Sequence, residues 1–132
     1  MNQRFFLSTA TLFLLGLSLV ILPPTLAQSS DVQQATAALI ADLSRPSPAL
    51  QKYGPGQVTQ MAVESNYAMA KWTWGEAGGI AVLSKQQGNW RVLTRRDDWI
   101  GLRGFVSLGV PQPVAQKLLD QIVPNWRSLP NE

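Results

Sequence analysis

The chain has 132 residues with no cysteine and no histidine, eleven basic against eight acidic residues, and a net charge of +3. Without cysteine there is no disulfide framework, thiol nucleophile or thiolate metal site, and without histidine the usual general base and the commonest metal ligand are missing. Serine-histidine and cysteine-histidine catalysis are therefore impossible within this chain.

In chain order, residues 1–27 read as a signal peptide: a short region with Arg4, an apolar run from Phe5 to Leu22, the pair Pro23-Pro24, then Thr25-Leu26-Ala27 with small residues suited to signal peptidase. Cleavage after Ala27 is expected, leaving 28–132 as a single α+β domain. Retention of the segment as a membrane anchor is the alternative, because its length reaches the lower limit for spanning a bilayer. Membrane contact is expected only in that uncleaved form. Loss of Arg4 leaves ten basic against eight acidic residues, too small a surplus to point to nucleic acid as a partner. The cluster Arg91, Arg95, Arg96 and Arg103 reads as a solvated strand end balanced by Asp97 and Asp98, or as a basic patch for an acidic protein surface or anionic lipid headgroups.

Ser29-Ser30-Asp31 offers a helix N-cap, and Val32, Ala35 or Thr36, Leu39 and Leu43 recur at helical spacing up to Arg45, where Pro46 and Pro48 stop the helix. The stretch SRPSPALQKYGPG reads as an irregular connection anchored by Leu50 and Tyr53. A meander of four antiparallel strands follows. Met61 and Val63 share a face of the first strand, and Glu64, Ser65 and Asn66 turn the chain. In Tyr67–Trp74, Ala68, Ala70, Trp72 and Trp74 oppose Tyr67, Met69, Lys71 and Thr73. The two alanines predict that another element approaches closely there. Gly75–Gly79 reads as a flexible turn, Ile80–Lys85 as the third strand, and Gln86–Asn89 as a hairpin loop. Trp90–Arg95 is the fourth strand, with Trp90, Val92 and Thr94 opposing Arg91, Leu93 and Arg95. One packed and one wetter sheet face are expected. A short helix then stops at Gly109, a second runs from Pro113 to Pro124, and the tail from Asn125 frays apart from Trp126. The fold class is thus α+β: an N-terminal helix, a four-stranded antiparallel meander and two short C-terminal helices.

The segment LGVPQPVAQKLL, Leu108 to Leu119, resembles the helix-hairpin-helix motif of DNA-binding proteins through Gly109, Val110 and Ala115. Pro111 stands where the motif has a second glycine and cannot offer the N–H that such a turn gives to phosphate, so nucleic acid is not expected as a partner. Asp97 and Asp98, adjacent in sequence, suit a surface or helix-capping role better than shared proton chemistry. Glu64 and Glu76 have no neighbour that would tune them as an acid or base. The EAGG turn lacks the residues of a phosphate loop. Trp72, Trp74, Trp90 and Trp99 form either core or an aromatic wall for a ligand.

The run YAMAKWTWGEAGGIAVLSKQQGNWRVL from Tyr67, followed by LGVPQPVAQKLL, resembles the small exported proteins of unknown function found in cyanobacteria. The layout of a helix before a curved meander, with a tryptophan after the glycine hairpin, is also similar to cystatin-like and nuclear-transport-factor-like domains. The first resemblance implies a compartment, the periplasm or the thylakoid lumen, and neither supplies a catalytic residue.

These features point to an exported, non-enzymatic domain that binds a protein or a small apolar ligand through one face of a tryptophan-rich sheet. The binding residues are expected among Tyr67, Lys71, Trp72, Trp74, Arg91 and Arg95, with no catalytic residue, metal or cofactor. If Trp72 and Trp74 face the helices, the surface moves to the opposite face around Tyr67, Lys71, Arg91 and Arg95. The alternatives are a histidine-free hydrolase with paired carboxylates and a protease-inhibitor-like module acting through its hairpin loops.

Overall fold

A four-stranded antiparallel sheet in the order β1-β2-β3-β4 organises the chain: β1 Gln57–Glu64, β2 Tyr67–Trp74, β3 Ala77–Gln86 and β4 Asn89–Arg96. It is seen in a computed structural model that describes residues 24–131, with side chains from Ser30 onward. Residues 1–23 of the expected signal segment lie outside the described residues. The residues from Asp31 onward form one compact unit.

Helix α1, Pro24–Leu43, begins upstream of the expected cap, so Ser29, Ser30 and Asp31 lie within it. A proline in the first turn suits a helix start, since its missing N–H would have no partner there. Among the described residues no helix is long and apolar enough to cross a membrane. Helix α2, Pro48–Tyr53, orders part of the proline-rich connection, with the Ser47 hydroxyl accepting from the Leu50 N–H at 3.1 Å. Leu50 packs on the core as expected, whereas Tyr53 is 44% exposed and only lays its ring against Gly75. Helices α3, Leu102–Ser107, and α4, Gln112–Ile122, complete the chain with a 3-10 turn at Trp126–Ser128.

Both faces of the sheet are covered, which replaces the expected wet face. On one side Ala35, Leu39 and Leu43 of α1 pack with Ala68, Ala70, Trp72, Trp74, Ala81, Leu83 and Trp90. Three alanines on this face have no exposed surface, and their small size is what lets the helix approach. On the other side Phe105, Ala115, Leu118, Leu119 and Ile122 pack with Met69, Ile80, Val82 and Ile100. The chain achieves this because β2 and β3 place apolar residues at both parities, which an isolated one-sided sheet does not.

Two bulges reset the alternation. In β1 the register passes from Val58–Trp72 to Gln60–Lys71, leaving Thr59 unpaired. In β4 it passes from Leu83–Val92 to Val82–Thr94, leaving Leu93 as the extra residue. The second bulge corrects the expected parity: Trp90 and Val92 face α1, Leu93 joins the opposite core, and Arg95, opposite Ala81, faces α1 again.

Two further expectations are corrected. Only Gly75 and Glu76 lie between β2 and β3, and Gly78 and Gly79 belong to β3. A Cβ on Gly79 would stand 1.8 Å from the Arg96 carbonyl oxygen and 2.7 Å from the Trp72 ring, so this glycine serves close packing rather than a turn. The C-terminal tail does not fray beyond Trp126: Trp126, exempted from that expectation, donates to Asp120 Oδ1 at 2.8 Å, and farther along the Pro130 carbonyl accepts from the Trp99 indole N–H at 2.6 Å.

Candidate binding surface

The tryptophan face of β2 is filled rather than open. Trp72 and Trp74 are each 7% exposed, and the Trp74 indole N–H donates to the Gly54 carbonyl, locking the connection after α2 onto the strand. Arg95 comes over both rings from β4, its guanidinium carbon 5.4 Å from the Trp72 ring centre and 5.1 Å from that of Trp74. Its Nε lies 3.2 Å from Asp42 Oδ2 of α1, and Asp42 also takes Arg45 at 3.4 Å. Arg95 was expected on the face opposite Trp72 and Trp74, but the bulge at Leu93 brings it over both rings, and the three form a structural cluster that ties α1 to the sheet.

The other three expected binding residues do not join them. Tyr67 lies on the opposite face and donates its hydroxyl to the Gly109 carbonyl at 3.3 Å, bracing the α3–α4 turn. Lys71 is exposed at a cavity of about 330 Å³ that Trp99 and Asp98 also line. Arg91 is exposed on the face away from α1, because the Leu93 bulge separates its parity from that of Arg95. The expected aromatic wall likewise divides: Trp72, Trp74 and Trp90 are on the α1 side, and Trp99 packs on the other core.

Asp97 and Asp98 border cavities of about 330 and 350 Å³, both of which include Trp72. Asp98 caps no helix, since the residue at the start of α3 is Gly101 without a side-chain cap. It receives Arg96 Nε at 2.7 Å, and Arg96 Nη2 as well. The Arg96 hydrogen bond holds the Asp98 carboxyl below the usual carboxylate range, outweighing the small opposing effect of desolvation. Asp120 is lowered too, first by the Trp126 indole and then by Arg127. Among the described residues no cluster of three or more acidic side chains is placed to hold a metal ion.

A groove of about 430 Å³ lies between α1 and β4, lined by Ala38, Ala41, Asp42, Arg45, Trp90, Arg91 and Val92. Trp90 is 8% exposed and its indole N–H is buried without a hydrogen-bond partner. Asp42 is the sole acid of the lining and is shared between two arginines. The chemistry on offer is thus a set of hydrogen-bond donors and positive charge beside small apolar walls, fit to receive an acceptor or an anion. Asp42 and Arg45 were not among the expected binding residues. The available signal was the position of Asp42 three residues after Leu39, at the margin of the apolar stripe of α1, where a charge meets whatever the stripe packs against.

No family model, no curated protein and no solved structure matches this chain.

Proposed function

We propose that this is an exported, non-enzymatic binding or assembly domain whose contact surface is the α1–β4 groove. The observation that carries the reading is a concavity of about 430 Å³ between α1 and β4 with small apolar walls at Ala38 and Ala41, bordered by Arg45 and Arg91 with Asp42 as its sole acid. Guanidinium groups at the rim of a concavity with small apolar walls suit a partner that brings carboxylate or other anionic acceptors. The coverage of both sheet faces moves the surface from the sheet's plane to its β4 margin. Export to the periplasm, the thylakoid lumen or the extracellular space rests on the signal-like character of residues 1–27.

The hydrolase alternative would draw on Asp97 and Asp98 beside Trp72. A general acid needs a raised pKa, and Asp98 is displaced the other way by Arg96. This favours the binding reading.

The test compares partner recovery from the exported fraction by the wild-type protein, by an Arg45→Ala/Arg91→Ala variant and by Lys71→Ala. The expected result is recovery by wild type and Lys71→Ala with loss in the double variant. Equal recovery by all three would overturn the assignment of the groove.

A further inference from the structure

We infer that the outer edge of β4 takes up an extended acidic peptide as a fifth strand, seated against the α1–β4 groove. This inference names the partner class for the surface proposed above and rests on that proposal. Its first support is main-chain geometry. Strand β4 is terminal in the sheet. The Lys85 N–H donates to the Asn66 carbonyl at 2.8 Å, toward β2 and away from β4. Lys85 and Trp90 are opposite each other, so they form a pair that exchanges no hydrogen bonds, and the Trp90 N–H and carbonyl point to the open side. The alternation carries the same orientation to Val92, opposite Leu83. The hairpin locks this register, because Gln87 and Gly88 both have positive φ, 52° and 80°, as a primed two-residue turn requires. The bulge at Leu93 ends the regular run, so the open edge is short and specific rather than a general aggregation template.

The second support is the groove itself. A strand added about 4.8 Å from β4 would run alongside the concavity between β4 and α1. Small side chains at Ala38 and Ala41 leave that space free. Side chains of the incoming strand would alternate between the α1 side and the far side, which is the geometry of strand addition.

Charge selects the occupant. Asp42 is matched by Arg95 and Arg45 together, leaving that triad with an excess positive charge. Arg91 is exposed and has no ion pair among the described residues. Arg45 stands toward α1 and Arg91 on the far side, so a carboxylate at either parity of the incoming strand meets a guanidinium, whose fork suits it. A second copy of this chain is a poorer occupant, because symmetric β4–β4 pairing brings two Arg91 side chains into the same short run, and like charges across strands repel.

The experiment titrates the ¹⁵N-labelled protein with blocked peptides of alternating glutamate and valine, of lysine and valine, and of N-methylated glutamate and valine, reading amide shifts and amide exchange. The glutamate peptide is expected to bind at least about tenfold more tightly than the lysine peptide and to slow exchange at Trp90 and Val92, with Arg91→Glu removing the preference. The N-methylated peptide, which cannot pair with the edge, is expected not to bind. Peptides that shift Ala38 and Ala41 without acidic preference, or without protecting Trp90 and Val92, would overturn the inference and leave the groove proposal standing. No shift in the groove with any peptide would overturn both. Concentration-dependent protection of these amides without peptide would assign the edge to a second copy and overturn the inference.

Discussion

Arg95 of β4 reaches Asp42 of α1 at 3.2 Å while its guanidinium sits over the rings of Trp72 and Trp74, so a single side chain fastens the helix to the sheet it covers. The pair is part-buried, with 27% and 16% of the two side chains exposed, and therefore sits between the weak surface ion pair and the costly buried one. Arg95→Ala is expected to destabilise the fold by about 1–2 kcal/mol in urea unfolding, from lost stacking as much as lost charge. Arg95→Lys should recover only a minor part, because an ammonium group has neither the plane nor the fork. Full recovery by lysine would show that charge alone matters.

Trp72 is expected to behave as core. Trp72→Ala should cost about 3–5 kcal/mol, the usual range for truncating a buried aromatic. Trp72→Phe should cost distinctly less, since it keeps most of the packing and removes an indole N–H that is buried without a partner. A cost below about 1 kcal/mol for the alanine variant would place the ring in an open site.

Gly79→Ala is expected to cost about 1–3 kcal/mol or more, the range for overpacking, since the new Cβ would fall 1.8 Å from the Arg96 carbonyl. That atom is backbone and cannot rotate away. A neutral result by thermal unfolding would contradict the close approach of β3 and β4 at this point.

The C-terminal tail should loosen in acid. Asp120 has a folded pKa below its unfolded value of about 3.9, so its contribution is present above that value and is lost as pH falls through the folded pKa. The Trp126 indole N–H resonance should shift as the pH drops below about 4. Asp120→Asn should abolish that transition, and persistence of the titration in the variant would assign it to another group.

Much of the architecture was legible because apolar residues alternate cleanly where no bulge intervenes. Ala68, Ala70, Trp72 and Trp74 share the expected face, and the alanines mark the helix contact. The helix stop at Gly109 was legible too, because its φ of 94° is one that glycine readily adopts. What failed depended on long-range pairing. Nothing near Leu93 announces a bulge, so counting parity along β4 put Arg91 and Arg95 on one side. Gly78 and Gly79 looked like a turn because the reason for their smallness, Trp72 and the Arg96 carbonyl, lies on other strands. The candidate groove was hidden for the same reason: Asp42 and Arg45 belong to a segment far from Trp90 in sequence, and only the packing of α1 brings them together.

Amide hydrogen exchange along β4 in the free protein tests most directly the claim that this edge and its groove form the open surface. Arg91, paired inward with Ser84, should exchange slowly, while Trp90 and Val92, whose N–H groups face outward, should exchange fast. Uniform slow exchange at all three would mean that the edge is already occupied, and would contradict the account.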